Sequence, residues 1–357
     1  MYIVVGQGVA GSLLAYFLRK NGQKVLVFDE NTEGVPSSSK IAAGVINPIT
    51  GRRFVKSWRI DALLPVAKRT YQDLEKLLNV QIWHERNIVR TLKDTEEENN
   101  FLLRRTYPDY QHFCGETVDN LENTHLHSFH AFAAIKNGAQ VNLPFFIAAF
   151  RRYLIENQIF INEKIAFDDL IIEDDLVIYK SIKAKKIIFA DGAAGATNPH
   201  FNWLPFNLDK GELLLVRIPS LDIQRIFKNK ISIVPLHDVG SDGQMNKENL
   251  YWVGATNAWQ YDNDWPTEAN KQLIINELRE ILNCPFEVVA HQAAVRPTVR
   301  DRRPFIGLHP QIPSLGIFNG FGAKGASLIP FFAEHFVDSL LNKVQLDKEV
   351  DIQRFTK

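Results

Sequence analysis

Apolar positions along the chain recur with two periods, and the switches between them mark the elements. Residues 2–5 form an unbroken apolar run (Tyr2, Ile3, Val4, Val5), which predicts a buried strand. Gly6 breaks it. Over residues 9–20, Val9, Leu13, Tyr16 and Phe17 return at helical spacing, Gly11 permits close packing, and Asn21-Gly22 suits the left-handed turn that ends a helix. Residues 24–28 are a second apolar strand, so the chain begins with a strand–helix–strand unit.

The interior reads differently. Helices are predicted at 65–78, 95–105 and 143–157, the last strongly amphipathic through Phe145, Phe146, Ala149, Phe150, Tyr153 and Leu154. A strand is predicted over 81–92, and short strands over 159–162, 170–173, 176–180 and 186–190. Residues 211–256 are strand-like, best at GELLLVRI, ISIVPL and NLYWVGAT. A helix at 267–282, a strand at 315–319 and a helix at 325–341 complete the chain. Parallel signals at both ends and near residue 190, with antiparallel-looking strands between, predict two domains threaded through each other.

Composition narrows the possibilities. The 357 residues suit two domains or one composite fold, and 45% apolar with 23% charged residues excludes general disorder. Lys plus Arg and Asp plus Glu both count 41, so no net field draws the chain to nucleic acid or an acidic membrane. Cys114 and Cys284 are too few for a disulfide scaffold, a Cys-rich zinc site or an iron–sulfur cluster. His125, His127 and His130 do not share a helical face, and no metal is expected. The opening MYIVVG is too short for a signal peptide and no run approaches the roughly 18 apolar residues of a membrane span, so a cytoplasmic location is expected.

GQGVAG places Gly6, Gly8 and Gly11 in a GxGxxG pattern around Val9 and Ala10, between a predicted strand and a predicted helix. Gly6 permits a tight turn, Gly8 lets backbone approach a pyrophosphate, and Gly11 lets helix and strand pack. The helix N-terminus offers N–H groups and partial positive charge to the phosphates. Asp29 closes the next strand, where a carboxylate can accept from a ribose diol. These residues predict a dinucleotide site. They leave NAD, NADP and FAD open, the acid at 29 disfavouring NADP.

Four further segments carry a resemblance. SSSKIAAGVINP (37–48), KKIIFADGAAG (185–195), AAVRPTVRDRRPFIG (293–307) and NGFGAKGASLIP (319–330) resemble, in order and spacing, motifs of the D-amino-acid oxidase and glycine oxidase family. The resemblance implies an α/β fold in which a Rossmann-like FAD-binding domain (1–80, 140–205 and 290–357) is interleaved with an antiparallel-sheet α+β substrate domain (81–139 and 206–289). It implies FAD contacts at the glycine turn and Asp29, at Lys40, Ala42, Ala43 and Gly44, at Ile165, at Asp191 and Gly192, and at Gly322, Ala323, Lys324, Gly325, Ala326 and Ser327. The FAD is expected to be non-covalent, because Cys114 and Cys284 lie away from the positions where relatives tether it. Asp191 departs from the family, which more often has a small residue there. The Asp191-Gly192 pair is similar to that of aromatic hydroxylases, whose later Gly-Asp segment has no counterpart here.

In physical terms, Ala42, Ala43 and Gly44 leave room for a flat ring. A turn opening the last helix could aim N–H groups and positive charge at the flavin edge that gains charge on reduction. Lys324 is a candidate for a full charge there, tuning redox potential or oxygen reactivity, or else a solvated turn residue.

On the substrate side the resemblance makes Arg296, in its VRP context, the carboxylate-binding residue. A planar guanidinium holds a carboxylate through two parallel hydrogen bonds, although an arginine can also simply tie two loops together. Ser232 stands where glycine oxidases place a tyrosine, and Asn257 where a hydrophobic wall is usual. This predicts a bulkier or more polar substrate than glycine. Arg52, in the basic run with Arg53, Lys56 and Arg59, is a further candidate, and Trp252, Trp259, Tyr261 and Trp265 could line the cavity. The expected activity is oxidation of the C–N bond of an amino acid or related amine by hydride transfer to flavin, with hydrolysis of the imine. The electron acceptor, oxygen or another, stays open. The alternatives are oxidation of a carboxymethylamino group on a modified tRNA base, which the zero net charge disfavours, and a flavin-binding protein without amine oxidase activity.

Overall fold

Short β-branched runs from distant parts of the chain meet in one sheet. In the structure, a computed structural model describing residues 1–30, 36–118, 125–173, 176–236 and 249–356, six strands lie in the order Phe160–Asn162, Val25–Asp29, Tyr2–Val5, Lys186–Phe189, Leu315–Asn319 and Phe305–Leu308. The first five are mutually parallel and the last is an antiparallel edge. Both faces are covered, which explains why these strands are apolar throughout. Val4, Val27, Ile188 and Phe318 pack against the helices Val9–Lys20, Leu143–Glu156 and Gly325–Asn342. Ile3, Phe28, Ile187, Phe189 and Ile317 pack against a three-stranded meander through Val177, Tyr179 and Ala184.

The second sheet has eight strands: Glu287–Arg296, Asp209–Arg217, Leu250–Gly254, Ser232–Pro235, Ile226–Lys228, Ile88–Leu92, Ala131–Ile135 and Cys114–Val118. Its pairs are antiparallel except Ile226–Lys228 with Ile88–Leu92, which run parallel. One face (Val89, Leu214, Val216, Phe227, Ile233, Val253) is covered by Ile274, Leu278 and Ile281 of the helix Glu268–Ile281. On the other, Leu213, Leu215, Trp252 and Ala294 meet Ile41. Glu212, fully buried, pins the sheet to that helix by accepting from the Thr267 amide at 2.8 Å and Asn270 Nδ2 at 2.8 Å. Burial alone would raise its pKa; those donors and Lys210 outweigh burial and hold it below the ordinary carboxylate value.

Two expectations shift. The helix expected from Pro65 begins at Ile60, because Ile60, Leu63 and Ala67 extend the buried stripe of Thr70, Tyr71 and Leu74, and packing outweighs the local cost of an internal proline. The strand expected over 81–92 divides into Trp83–Glu85 and Ile88–Leu92, which join different sheets. Between them the Arg86 amide pairs with Gly138 and the Asn87 carbonyl with Ile226. Of the strand-rich stretch expected over 211–256, residues 237–248 lie outside the described residues.

Candidate active site

The glycine turn is set by backbone crowding. Gly6 leaves its strand at φ +95°, and a Cβ there would stand 2.5 Å from the Ala190 carbonyl oxygen. A Cβ on Gly11 would lie 1.8 Å from the Gly6 oxygen, whereas one on Gly8 would meet only the Ser39 hydroxyl, at 2.9 Å. Gly8 is the N-cap of Val9–Lys20 and supplies no side-chain acceptor; Ser39 Oγ accepts from the Val9 amide at 3.2 Å. Beyond that bond, the positive end of the helix at Ala10 and Gly11 has no side-chain cap and suits a phosphate.

Asp29 ends the next strand, but its carboxylate is ion-paired with Arg151. Arg151 Nε also donates to Gln7 Oε1 at 2.6 Å, and Gln7 in turn donates to Ser12 Oγ and the Ile147 carbonyl. A ribose would therefore share Asp29 with a built network. Sequence reasoning missed Arg151; the Arg151-Arg152 pair in an otherwise apolar helix was the available signal.

In the second loop Lys40 is exposed while Ala42 and Ala43 are half-buried. Gly44 has a different reason from the one expected: at φ +67°, its Cβ would stand 1.8 Å from the Val141 carbonyl oxygen, so neighbouring backbone, before any ring, demands glycine. Trp252 Nε1 donates to the Ile41 carbonyl at 2.9 Å and pins this loop under the eight-stranded sheet. Ile165 points its side chain into the core with Val177 and Tyr179, leaving only backbone for a ligand.

Asp191 follows the central strand. Its carboxylate accepts from Asn319 Nδ2 at 2.9 Å and Asn198 Nδ2 at 3.2 Å, stapling the ends of two strands. Burial pushes its pKa up to about 6 even though both amides favour the charged form. Gly192 turns at φ +61° beside it.

The C-terminal turn sits on the residue after the candidate arginine. Gly322, at φ +55°, donates its amide to the Pro297 carbonyl at 3.0 Å. Ala323 is exposed, and from Gly325 the last helix begins, with Ala326 and Ser327 buried and Ser327 Oγ donating to the Lys324 carbonyl at 3.1 Å. Lys324 Nζ donates to Ser57 Oγ at 3.0 Å, and Ser57 passes the chain on to the Asn47 carbonyl. Loss of hydration at the ammonium, then Arg302 and Arg303, lower its pKa.

Arg296 ends its strand opposite Asp209. Its Nη1 donates to Asp209 Oδ2 at 2.7 Å and to Asn257 Oδ1 at 3.1 Å, and its guanidinium occupies the space a Cβ on Gly211 would need, 1.9 Å from Nη2. Both carboxylate oxygens of Asp209 are used, since Oδ1 accepts from the Ala258 amide at 3.0 Å. Asn257 is thus a partner of Arg296. Nη2 makes a 3.4 Å contact with the Thr256 carbonyl and packs over Gly211. Asp209 was not foreseen; an acid heading an apolar strand was the clue.

Ser232 lies on the same sheet face, opposite Gly254. Arg52 is exposed in the turn of a hairpin. Of the four aromatics expected along the cavity, Trp252 binds the Ile41 loop and Tyr261 is half-buried, whereas Trp259 and Trp265 are 65% and 58% exposed. Among the described residues no three His, Cys, Asp or Glu side chains are grouped to hold a metal, and no helix is long and apolar enough to cross a membrane.

A glycine turn on a helix N-terminus, at the carboxyl ends of a parallel sheet, defines a dinucleotide-binding protein. A family model described as FAD dependent oxidoreductase matches residues 1–339, and the chain belongs to that family. It is an FAD-dependent oxidoreductase. The backbone cradle at Gly6–Gly11 and the uncapped helix end fit the pyrophosphate of FAD. Glycine oxidases from Bacillus cereus and Geobacillus kaustophilus share its fold, each with a TM-score of 0.78, at 20% and 21% identity. The first alignment covers 96% of this chain and 95% of the other, the second 99% and 97%. An iminodiacetate oxidase from Chelativorans sp. BNC1 aligns at TM-score 0.75 and 19% identity, over 98% of both chains.

Proposed function

We propose that this enzyme oxidises the C–N bond of an amino acid or related amine whose carboxylate binds Arg296. The observation that carries the reading is the hydrogen bond from the Gly322 amide to the Pro297 carbonyl, which places the residue after Arg296 against the turn proposed to meet the flavin. FAD, held non-covalently, supplies the two-electron oxidation. The chain's own residues orient the substrate: Asp209 and Asn257 fix the guanidinium through Nη1, and Arg296 offers its remaining N–H groups to the incoming carboxylate. The resulting imine is hydrolysed in water. The glycine and iminodiacetate oxidases of the same fold agree with an amine bearing a carboxylate.

We further assign the six-stranded sheet and its helices to FAD, the eight-stranded sheet to the substrate, and Lys324 with Ser57 to the flavin edge. The test is anaerobic mixing of the FAD-loaded enzyme with D- and L-amino acids and N-substituted glycines. Bleaching of the oxidised flavin by at least one carboxylate-bearing amine, and by none of the decarboxylated analogues, supports the reading; indifference to the carboxylate refutes it.

A further inference from the structure

Arg296 is paired with Asp209, so that corner of the sheet carries no net positive charge. The positive charge lies further along the same face. Lys228 is the register partner of Ser232 on one side and of Arg90 on the other. Their neighbours Phe227, Ile233 and Val89 all point to the helix-covered face, so alternation turns Lys228, Ser232 and Arg90 to the face that holds Leu213, Ala294 and Arg296. They are at the same end of the sheet as well: Ser232 pairs with Gly254, and the chain beyond Gly254 runs beside Lys210 and Asp209 to Asn257.

Arg90 is fixed there. It donates to the Gly51 carbonyl at 2.7 Å, lies 4.3 Å from the centre of the Phe54 ring, and has Glu97 at 3.7 Å. Gly51 and Phe54 belong to the hairpin that follows the Ile41 loop, so this hairpin closes over the arginine. Among the described residues, Lys228 Nζ donates only to the Lys230 carbonyl, at 3.1 Å, and has no carboxylate partner. Glu97 offsets one of the two cations; among the described residues the other charge is left without a counter-ion in a half-buried place. Such a pair is costly to hold unless an anion joins it. Burial, then Arg90, bring the pKa of Lys228 down to about 8.

We infer that Lys228 and Arg90 form a second anion subsite, which recognises an acidic group at the far end of an extended substrate from the carboxylate read by Arg296. The inference rests on the proposed amine-oxidising reading for its second anchor, but the subsite itself stands on the sheet. Three strands separate Lys228 from Arg296, so the acidic group is remote from the reacting carbon. A carboxylate and a phosphonate share the required chemistry.

Calorimetric titration of the FAD-loaded enzyme tests it without turnover, using dodecanedioate, 11-phosphonoundecanoate and the monoanion dodecanoate, whose chains are long enough to run between the two anchors. The dianions are expected to bind at least about tenfold more tightly than dodecanoate. Lys228→Gln and Arg90→Gln should each remove most of that preference, and Lys228→Arg should retain it. The dicarboxylate and phosphonate arms tell which acid is read. Absence of a dianion preference in the native protein, or its survival in Lys228→Gln, overturns the inference. So does Lys228-dependent retention of bulk tRNA by a protein indifferent to both diacids, which would make this face a nucleic-acid groove. A preserved dianion preference in an enzyme whose flavin no amine bleaches would refute the amine reading and leave the subsite standing.

Discussion

Trp252 donates its indole N–H to the carbonyl of Ile41, 2.9 Å away, and through that one bond the eight-stranded sheet holds the loop that carries Ala42, Ala43 and Gly44. Trp252→Phe keeps the ring and removes the donor, leaving a half-buried carbonyl unsatisfied. A loss of about 1–2 kcal/mol is expected. Urea unfolding should register it, and FAD dissociation on dilution should be faster than in the native protein.

The glycine turn predicts a graded response. Gly11→Ala drives its Cβ into the Gly6 carbonyl, which is backbone and cannot move aside, whereas Gly8→Ala meets a serine side chain that can rotate. Gly11→Ala is expected to purify largely without flavin, and Gly8→Ala with reduced but measurable flavin, as read from visible absorbance per protein.

Asp209 and Arg296 form a mostly buried pair. Asp209→Ala strands the guanidinium against Gly211 and should destabilise the protein by about 3 kcal/mol. Asp209→Asn keeps an acceptor for the Ala258 amide and should fold. With one side of the arginine unanchored, its kcat on any active substrate is expected to fall by about tenfold without a comparable rise in KM.

Asp191 gives a pH signature. Its folded pKa, near 6, lies above its unfolded value of 3.8. The unfolded chain therefore releases the proton first as pH rises, so this residue's contribution to stability is complete below about pH 4 and is lost as pH climbs to about 6, a change on the order of 3 kcal/mol. In Asp191→Asn that component should vanish. Thermal melts from pH 4 to 7 on native and variant protein check the difference in slope.

Much of this was legible in the chain because local and global signals agree. The runs at residues 2–5 and 315–319 are buried on both faces and read as strands from apolarity alone, and Leu143–Glu156 carries its stripe and its Asn142 cap in plain view. The glycines at 6 and 11 could be read as obligatory because their spacing encodes a backbone contact. Partnerships could not be read. Nothing local tells Asp29 that Arg151, 122 residues later, will claim its carboxylate, or Arg296 that Asp209 will face it across a ladder. Gly44 shows the same limit: its smallness was visible, but the Val141 carbonyl that demands it arrives on a neighbouring strand almost a hundred residues later in the chain. The break at Arg86-Asn87 was hidden because both halves of the alternating run are true strands, separated only by a change of partner.

The most direct measurement is the anaerobic rate of flavin bleaching in Arg296→Met against native enzyme, with the best carboxylate-bearing amine and its decarboxylated analogue. The account predicts that the variant retains FAD but bleaches with the carboxylate substrate at least about a hundredfold more slowly at low concentration, and that the gap between the two substrates closes. An Arg296→Met enzyme that bleaches as fast as native, with the same preference for the carboxylate, would contradict it.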